Sequence, residues 1–266
     1  MVHYQNRSCP EAAKLLESDS ITYSVLIKIL QGECAHIFTD LENAIVCHSC
    51  RPFPVWVWCR DAENVEAVEE IGRCIKDELP LEQGYVHILS YDLLEKLRKK
   101  DEYFRNAGEK MGLLSYRLDA INEVDYPCDG SMSPVREEEI PSLIGTWHDM
   151  HMEMEGYDLS PERCESTLRR LVGEKSLFAW RIEEGKIAAL TGRGDQKEFS
   201  KITSVYTLPE HRRKGYAINL VHGVTKTMLA DGLIPILYTN ADYAASNACY
   251  QKIGYRQVGS LISICE

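Results

Sequence analysis

The sequence lacks the common signatures of nucleotide binding. It has no GxxxxGK[ST] loop and no GxGxxG turn, which sets it apart from P-loop and dinucleotide-binding folds. It lacks a net positive charge: 266 residues carry a net charge of −11, so broad binding to a nucleic-acid backbone is not expected. Its first residues, Met1-Val-His-Tyr-Gln-Asn-Arg7, hold no apolar signal core, and no apolar run approaches a membrane span. A cytoplasmic protein is expected, with the mitochondrion as the alternative and no membrane partner. A second cysteine pair for zinc is missing too. Cys47-His48-Ser49-Cys50 is the one C-x-x-C, and Cys34, His36 and Cys59 do not complete a defined spacing. No metal is expected, and the ten cysteines read as reduced, ordinary thiols. No internal repeat or low-complexity tract is present.

What is there centres on residues 204–217. Ile202, Val205 and Thr207 suit a strand, and Pro209 stops its pairing. Arg212-Arg213-Lys214-Gly215 is a dense basic turn. After it Ala217, Leu220, Val221, Val224 and Met228 fall at helical spacing. A helix start exposes unpaired N–H groups and the positive end of the dipole, a place for a phosphate-rich anion. Gly215 lets backbone approach that anion closely. In an acidic chain this cluster reads as local, serving one ligand.

Arg212 through Ala217 resembles the [QR]-x-x-G-x-[GA] loop of the GNAT superfamily, the CoA-dependent amine acyltransferases. The resemblance extends to residues 236–240 and to the segment 250–255, which ends in Gly254-Tyr255. Trp147-His148, residues 207–212, 231–235 and Asp242-Tyr243 narrow it to the glycine N-acyltransferase-like branch. The resemblance covers residues 113–255 and, weakly, the N-terminal half. It implies an α/β (α+β) GNAT fold with a mixed, twisted central sheet flanked by helices.

Periodicity gives a helix over 20–31, strands over 36–39, 44–48 and 54–59, a helix over 64–76, a strand over 85–89 and a helix over 91–107. That order resembles a second, degenerate GNAT-like fold without a basic glycine turn. Residues 1–110 are therefore expected as a cap domain and 111–266 as the catalytic domain. In the latter, strands are expected over 113–120, 177–181, 186–191 and 201–207, helices over 137–152 and 163–171, and a loop over 127–134.

Transfer of an acyl group from a thioester to an amine needs a base, a stabilised carbonyl oxygen and a proton for the leaving thiolate. The resemblance implies that main-chain N–H groups at Val205, Tyr206 and Thr207 serve the oxygen. It places the CoA pyrophosphate on Arg212, Arg213, Lys214, Gly215, Tyr216, Ala217 and Ile218. Tyr250 is the implied proton donor, and Asn247 an implied contact to the CoA arm. A glutamate common on the family strand is replaced by Tyr238. Glu198, His148 and His151 are the candidate bases. The implied partners are acetyl-CoA or another acyl-CoA and a small amine such as glycine. Asp149, Glu153, Glu155 and Asp158 would instead favour a cationic amine. A protein N-acetyltransferase and a silent CoA-binding sensor are the alternatives.

Overall fold

The computed structural model describes residues 1–83, 85–156 and 158–266, with Glu155 by its backbone alone. The chain divides into two units. One comprises Met1–Tyr116, Thr239–Ala244 and Gln257–Glu266; the other comprises Arg117–Tyr238 and Ala245–Arg256. A single boundary at residue 110 therefore does not separate them.

The first unit contains β1 (Val2–Arg7), α1 (Pro10–Lys14), α2 (Ser24–Gln31), β2 (Cys34–Thr39), β3 (Ala44–His48), β4 (Val55–Cys59), α3 (Val65–Glu78), β5 (His87–Leu89), α4 (Tyr91–Lys100) and α5 (Glu102–Arg105). Most of β6 (Gly108–Leu118) and of β12 (Tyr255–Cys265) belongs to it as well. The strand order is β1-β2-β3-β4-β5-β12-β6. β12 runs antiparallel to β5, with Ile262 opposite Leu89. Alternation along β3 and β4 sends residues to opposite faces. Val46, Val55 and Val57 meet Val68, Ile71, Ile75 and Leu97, together with Ile262 and Ile264. Ile45, Cys47, Trp56 and Trp58 meet Leu16, Leu26 and Leu30, together with Leu261. The last strand thus completes both cores of this unit.

Local chemistry explains the joints. Asp40 Oδ1 accepts from the N–H groups of Glu42, Asn43 and Ala44 and closes the β2–β3 turn. Asn64 and Ser90 cap α3 and α4. Asp101 is extended and caps α5 through Tyr103 N–H, so the single helix expected over 91–107 is two.

One polar row crosses this sheet: His36 opposite His48, His48 opposite Val55, and Val55 opposite His87. His87 is fully buried, with Nε2 bonded to the Leu79 carbonyl at 2.8 Å. Burial pushes its pKa down to about 4. In the unfolded chain it takes a proton near 6.5, so between pH 6.5 and 4 the unfolded state binds more protons. Stability should therefore fall on acidification across this window, by about 3 kcal/mol from this one group. Urea midpoints at pH 7 and 4.5 check it: His87→Gln should lose less stability between them than the parent. An equal loss would remove His87 as the cause.

The second unit holds β7 (Ser131–Pro134), α6 (Ile140–Glu155), α7 (Pro161–Gly173), β8 (Leu177–Arg181), β9 (Ile187–Gln196), β10 (Phe199–Thr207) and α8 (Tyr216–Ala230). It also takes most of β11 (Ile234–Asn240) and of α9 (Ala244–Ile253). Its strand order is β11-β10-β9-β8-β7, with β10 and β11 parallel and the other pairs antiparallel. Ile140, Leu143, Trp147 and Met150 lie on one stripe of α6 and pack with Leu168, Leu177, Leu190 and Tyr206. β7 lies in the stretch expected to be a loop; its pairing partner is β8.

Candidate functional site

β10 delivers the chain to the start of α8. The ladder ends at Thr207, and Pro209–His211 forms a short 3-10 turn. Arg213 (φ 62°) and Gly215 (φ 84°) are both left-handed, and this reversal aims the chain into α8. Glycine adopts that geometry without strain. No side chain caps the first turn of α8. Its leading N–H groups therefore lack intrahelical partners and carry the positive end of the dipole.

Beside this helix start lies a cleft of about 500 Å³. Thr207, His211 and Arg213 through Ile218 form one wall, Tyr126 and Pro127 another, and Ala245, Ala248, Cys249 and Lys252 of α9 a third. No carboxylate is among the lining residues. Among the described residues, Arg213, Lys214 and Lys252 have no ion-pair partner. Arg212 is placed otherwise. Its guanidinium donates to the Thr207 carbonyl (3.1 Å) and to Glu153 (2.6 Å) and lies 5.5 Å from the Tyr206 ring centre, so it does not line the cleft. Tyr216 O–H donates to Asp129 at 2.6 Å, which pushes its pKa up to about 12.

β10 is bulged beside the turn. Thr203 pairs with Gly192 and Tyr206 with Leu190, so three steps on β10 face two on β9. Ser204 takes φ 52° there. The parallel pairing of β10 with β11 runs from Phe199–Ile234 to Ile202–Leu237, and no later pair occurs among the described residues. The backbone of Val205, Tyr206 and Thr207 thus lies past the end of the β11 ladder. These are the three positions singled out in the sequence for their N–H groups.

The expected proton carriers are placed unequally. Tyr250 is buried, 7% exposed, with its ring edge-on to Tyr255 at 6.3 Å. Burial, then the neighbouring Cys249 and Tyr255, raises its pKa, which keeps the phenol protonated. Asn247 is buried on the same side of α9. Both face away from the stripe formed by Ala245, Ala248, Cys249 and Lys252, whose spacing is i, i+3, i+4, i+7. Glu198 is a correction. It is exposed in the β9–β10 turn, at the opposite end of β10 from α8. Seven residues of strand put it about 23 Å from Val205, too far to take a proton there. His148 does not line the cleft. Its ring nitrogens meet Asp149 (3.3 Å) and Asp158 (2.9 Å), which raise its pKa and favour the charged form over a free base. Glu153 is engaged by Arg212, and the Glu155 side chain lies outside the described residues.

Sequence reasoning missed Tyr126, Pro127, His211, Cys249 and Lys252. The i, i+3, i+4, i+7 spacing in α9 could have found the last two. Tyr126 carried no such signal.

The fold has solved counterparts. An acetyltransferase of the GNAT family from Colwellia psychrerythraea is 14% identical, with TM-score 0.64 over 100% of this chain and 99% of its own. A Drosophila protein of 12% identity gives TM-score 0.67 over 96% and 95%. A GCN5-related N-acetyltransferase from Sphaerobacter thermophilus, 11% identical, gives 0.66 over 99% and 95%. This chain therefore has the GNAT fold, a mixed α/β architecture with a central sheet flanked by helices. In sequence, a family model described as FR47-like protein matches residues 177–261, from β8 into β12. No curated protein matches the chain.

Proposed function

We propose that this chain is an acyl-CoA-dependent N-acyltransferase. It would move an acyl group, acetyl in the simplest case, to the amine of a small acceptor such as glycine or another amino acid. One observation carries the reading: an uncapped helix start flanked by Arg213 and Lys214, opening on a cleft without carboxylates and next to a bulged strand. The helix start and its cations suit a diphosphate. The bulge leaves main-chain donors beyond the β11 ladder, suited to a carbonyl oxygen that gains charge. Tyr250, kept protonated by burial, is the donor for the departing thiolate.

A second reading, CoA binding without turnover, is favoured by the positions of Glu198 and His148. Of the three bases foreseen in the sequence, Glu198 lies at the far end of β10 from the bulge, and His148 is held between Asp149 and Asp158.

A thermal-shift screen of CoA thioesters, followed by thiol release with a panel of amines, tests both. At a hundredfold excess over Kd, binding adds about 2.7 kcal/mol, several degrees in Tm at this size. Amine-dependent thiol release is the expected result. Stabilisation with no release under any amine would select the second reading. No stabilisation by any thioester would sink both.

A further inference from the structure

We infer that Arg212 is a positioning residue for the acceptor and not a ligand of the diphosphate: it ties the last turn of α6 to the bulged end of β10. This rests on the acyl-CoA reading of the cleft.

The backbone parts Arg212 from its neighbours. Arg212 is extended (φ −67°, ψ 155°), and the left-handed Arg213 that follows reverses the chain. Arg213 and Lys214 therefore line the cleft while the Arg212 side chain leaves it. Its fork meets three groups at once. Nε donates to the Thr207 carbonyl (3.1 Å), Nη2 donates to Glu153 (2.6 Å), and Cζ lies 5.5 Å from the Tyr206 ring centre. A planar, forked cation suits such a junction, and a compact ammonium does not.

Glu153 needs this cation. It stands in the last turn of α6, at the negative end of the helix dipole, and that turn carries no lysine or arginine. Arg212, 59 positions along the chain, supplies the missing charge. Beyond Glu153 the left-handed Gly156 (φ 73°) ends the helix. The two side chains are 39% and 50% exposed, so the pair adds little to global stability. Its effect is local, on where α6 ends relative to β10.

The faces of β10 define what the tether serves. Thr207 lines the cleft, whereas Tyr206 packs under α6 with Leu143 and Trp147. Burial, then Glu153 and Asp149 of α6, raise the Tyr206 pKa, so the end of α6 stands over that phenol. An acyl-CoA in the cleft would present its carbonyl at the bulge from the Thr207 side. The amine must then approach from a side that CoA leaves open, and α6 with Tyr206 flanks the bulge there. Fixing this wall fixes the amine against the carbonyl, where a misplacement of about 1 Å costs about a hundredfold in rate.

CoA calorimetry, hydrogen exchange and thiol release from acetyl-CoA, with glycine or the best amine of the panel, test this together. Arg212→Gln should leave the CoA Kd within about twofold of the parent and speed amide exchange in the last turn of α6 by about tenfold. KM for the amine should rise by about tenfold, with kcat lowered less. Glu153→Gln should do the same, and the double variant no more than either, because both break one contact. Arg212→Lys keeps the charge without the fork and should fall between parent and Gln variant. A tenfold loss of CoA affinity in Arg212→Gln would overturn the inference and return Arg212 to the diphosphate. Unchanged exchange in α6, or an unchanged KM for the amine, would overturn it as well. CoA binding by the parent without turnover of any amine would overturn the acceptor role and select the second reading of the cleft. Failure of the parent to bind CoA would instead remove the acyl-CoA reading itself.

Discussion

Replacing Gly215 by glutamate is expected to abolish acetyl-CoA binding while the fold survives. At φ 84° a side chain costs about 1–2 kcal/mol. The nearest atoms to a new Cβ are Tyr126 Cβ at 3.5 Å and Asn219 Nδ2 at 3.7 Å, ordinary contacts that need no rearrangement. The carboxylate, however, stands where the diphosphate would meet the helix start. One added negative charge about 4 Å from another costs about 4 kcal/mol at the effective dielectric of a protein surface. CoA affinity should therefore drop by a hundredfold or more. Gly215→Ala carries the strain without the charge and should lose only a few-fold. Calorimetry beside circular dichroism reads both, and an unchanged affinity in the glutamate variant would remove the helix start as the diphosphate site.

Tyr250→Phe should leave CoA binding nearly intact and lower turnover by roughly 10²–10⁴, the usual worth of a positioned general acid. Binding survives because Tyr250 faces away from the α9 stripe that lines the cleft. The substitution removes one hydroxyl and little volume. The loss should appear in kcat and kcat/KM together, as for an interaction made only in the transition state. It should shrink with an activated thioester whose leaving group needs no proton. Full kcat in the phenylalanine variant would return Tyr250 to the packing residues.

How much of this was legible follows from where each signal resides. The unit from β10 to α8 was readable because Pro209, Gly215 and the spacing from Ala217 to Met228 are local chemistry. The β2–β3 turn was readable through Asp40 for the same reason. β1 was not, because it is an edge strand, mostly exposed along its length, with no buried face to impose alternation. β7 was not, because Ser131–Pro134 is polar and becomes a strand through β8. The acidic residue at 198 matched a family pattern, yet only the course of β10 shows which end of the strand it occupies. Lys252 and Tyr126 are 126 positions apart, and nothing in either segment announces the other. The foreseen residues from Arg213 to Ile218 do come together in one wall, whereas neither Glu198 nor His148 lines that cleft.

The pairing of β12 with β5 has a consequence for how the protein is made. Ile88 and Leu89 emerge from the ribosome long before Leu261, Ile262 and Ile264, the residues that share their cores. During synthesis β5 must wait as an open edge, its apolar neighbours lacking a cover, while some 170 residues are added. A nascent chain stalled ahead of residue 255 would hold all of α8 and still lack that strand. The early half therefore carries an uncovered strand edge until the end of synthesis.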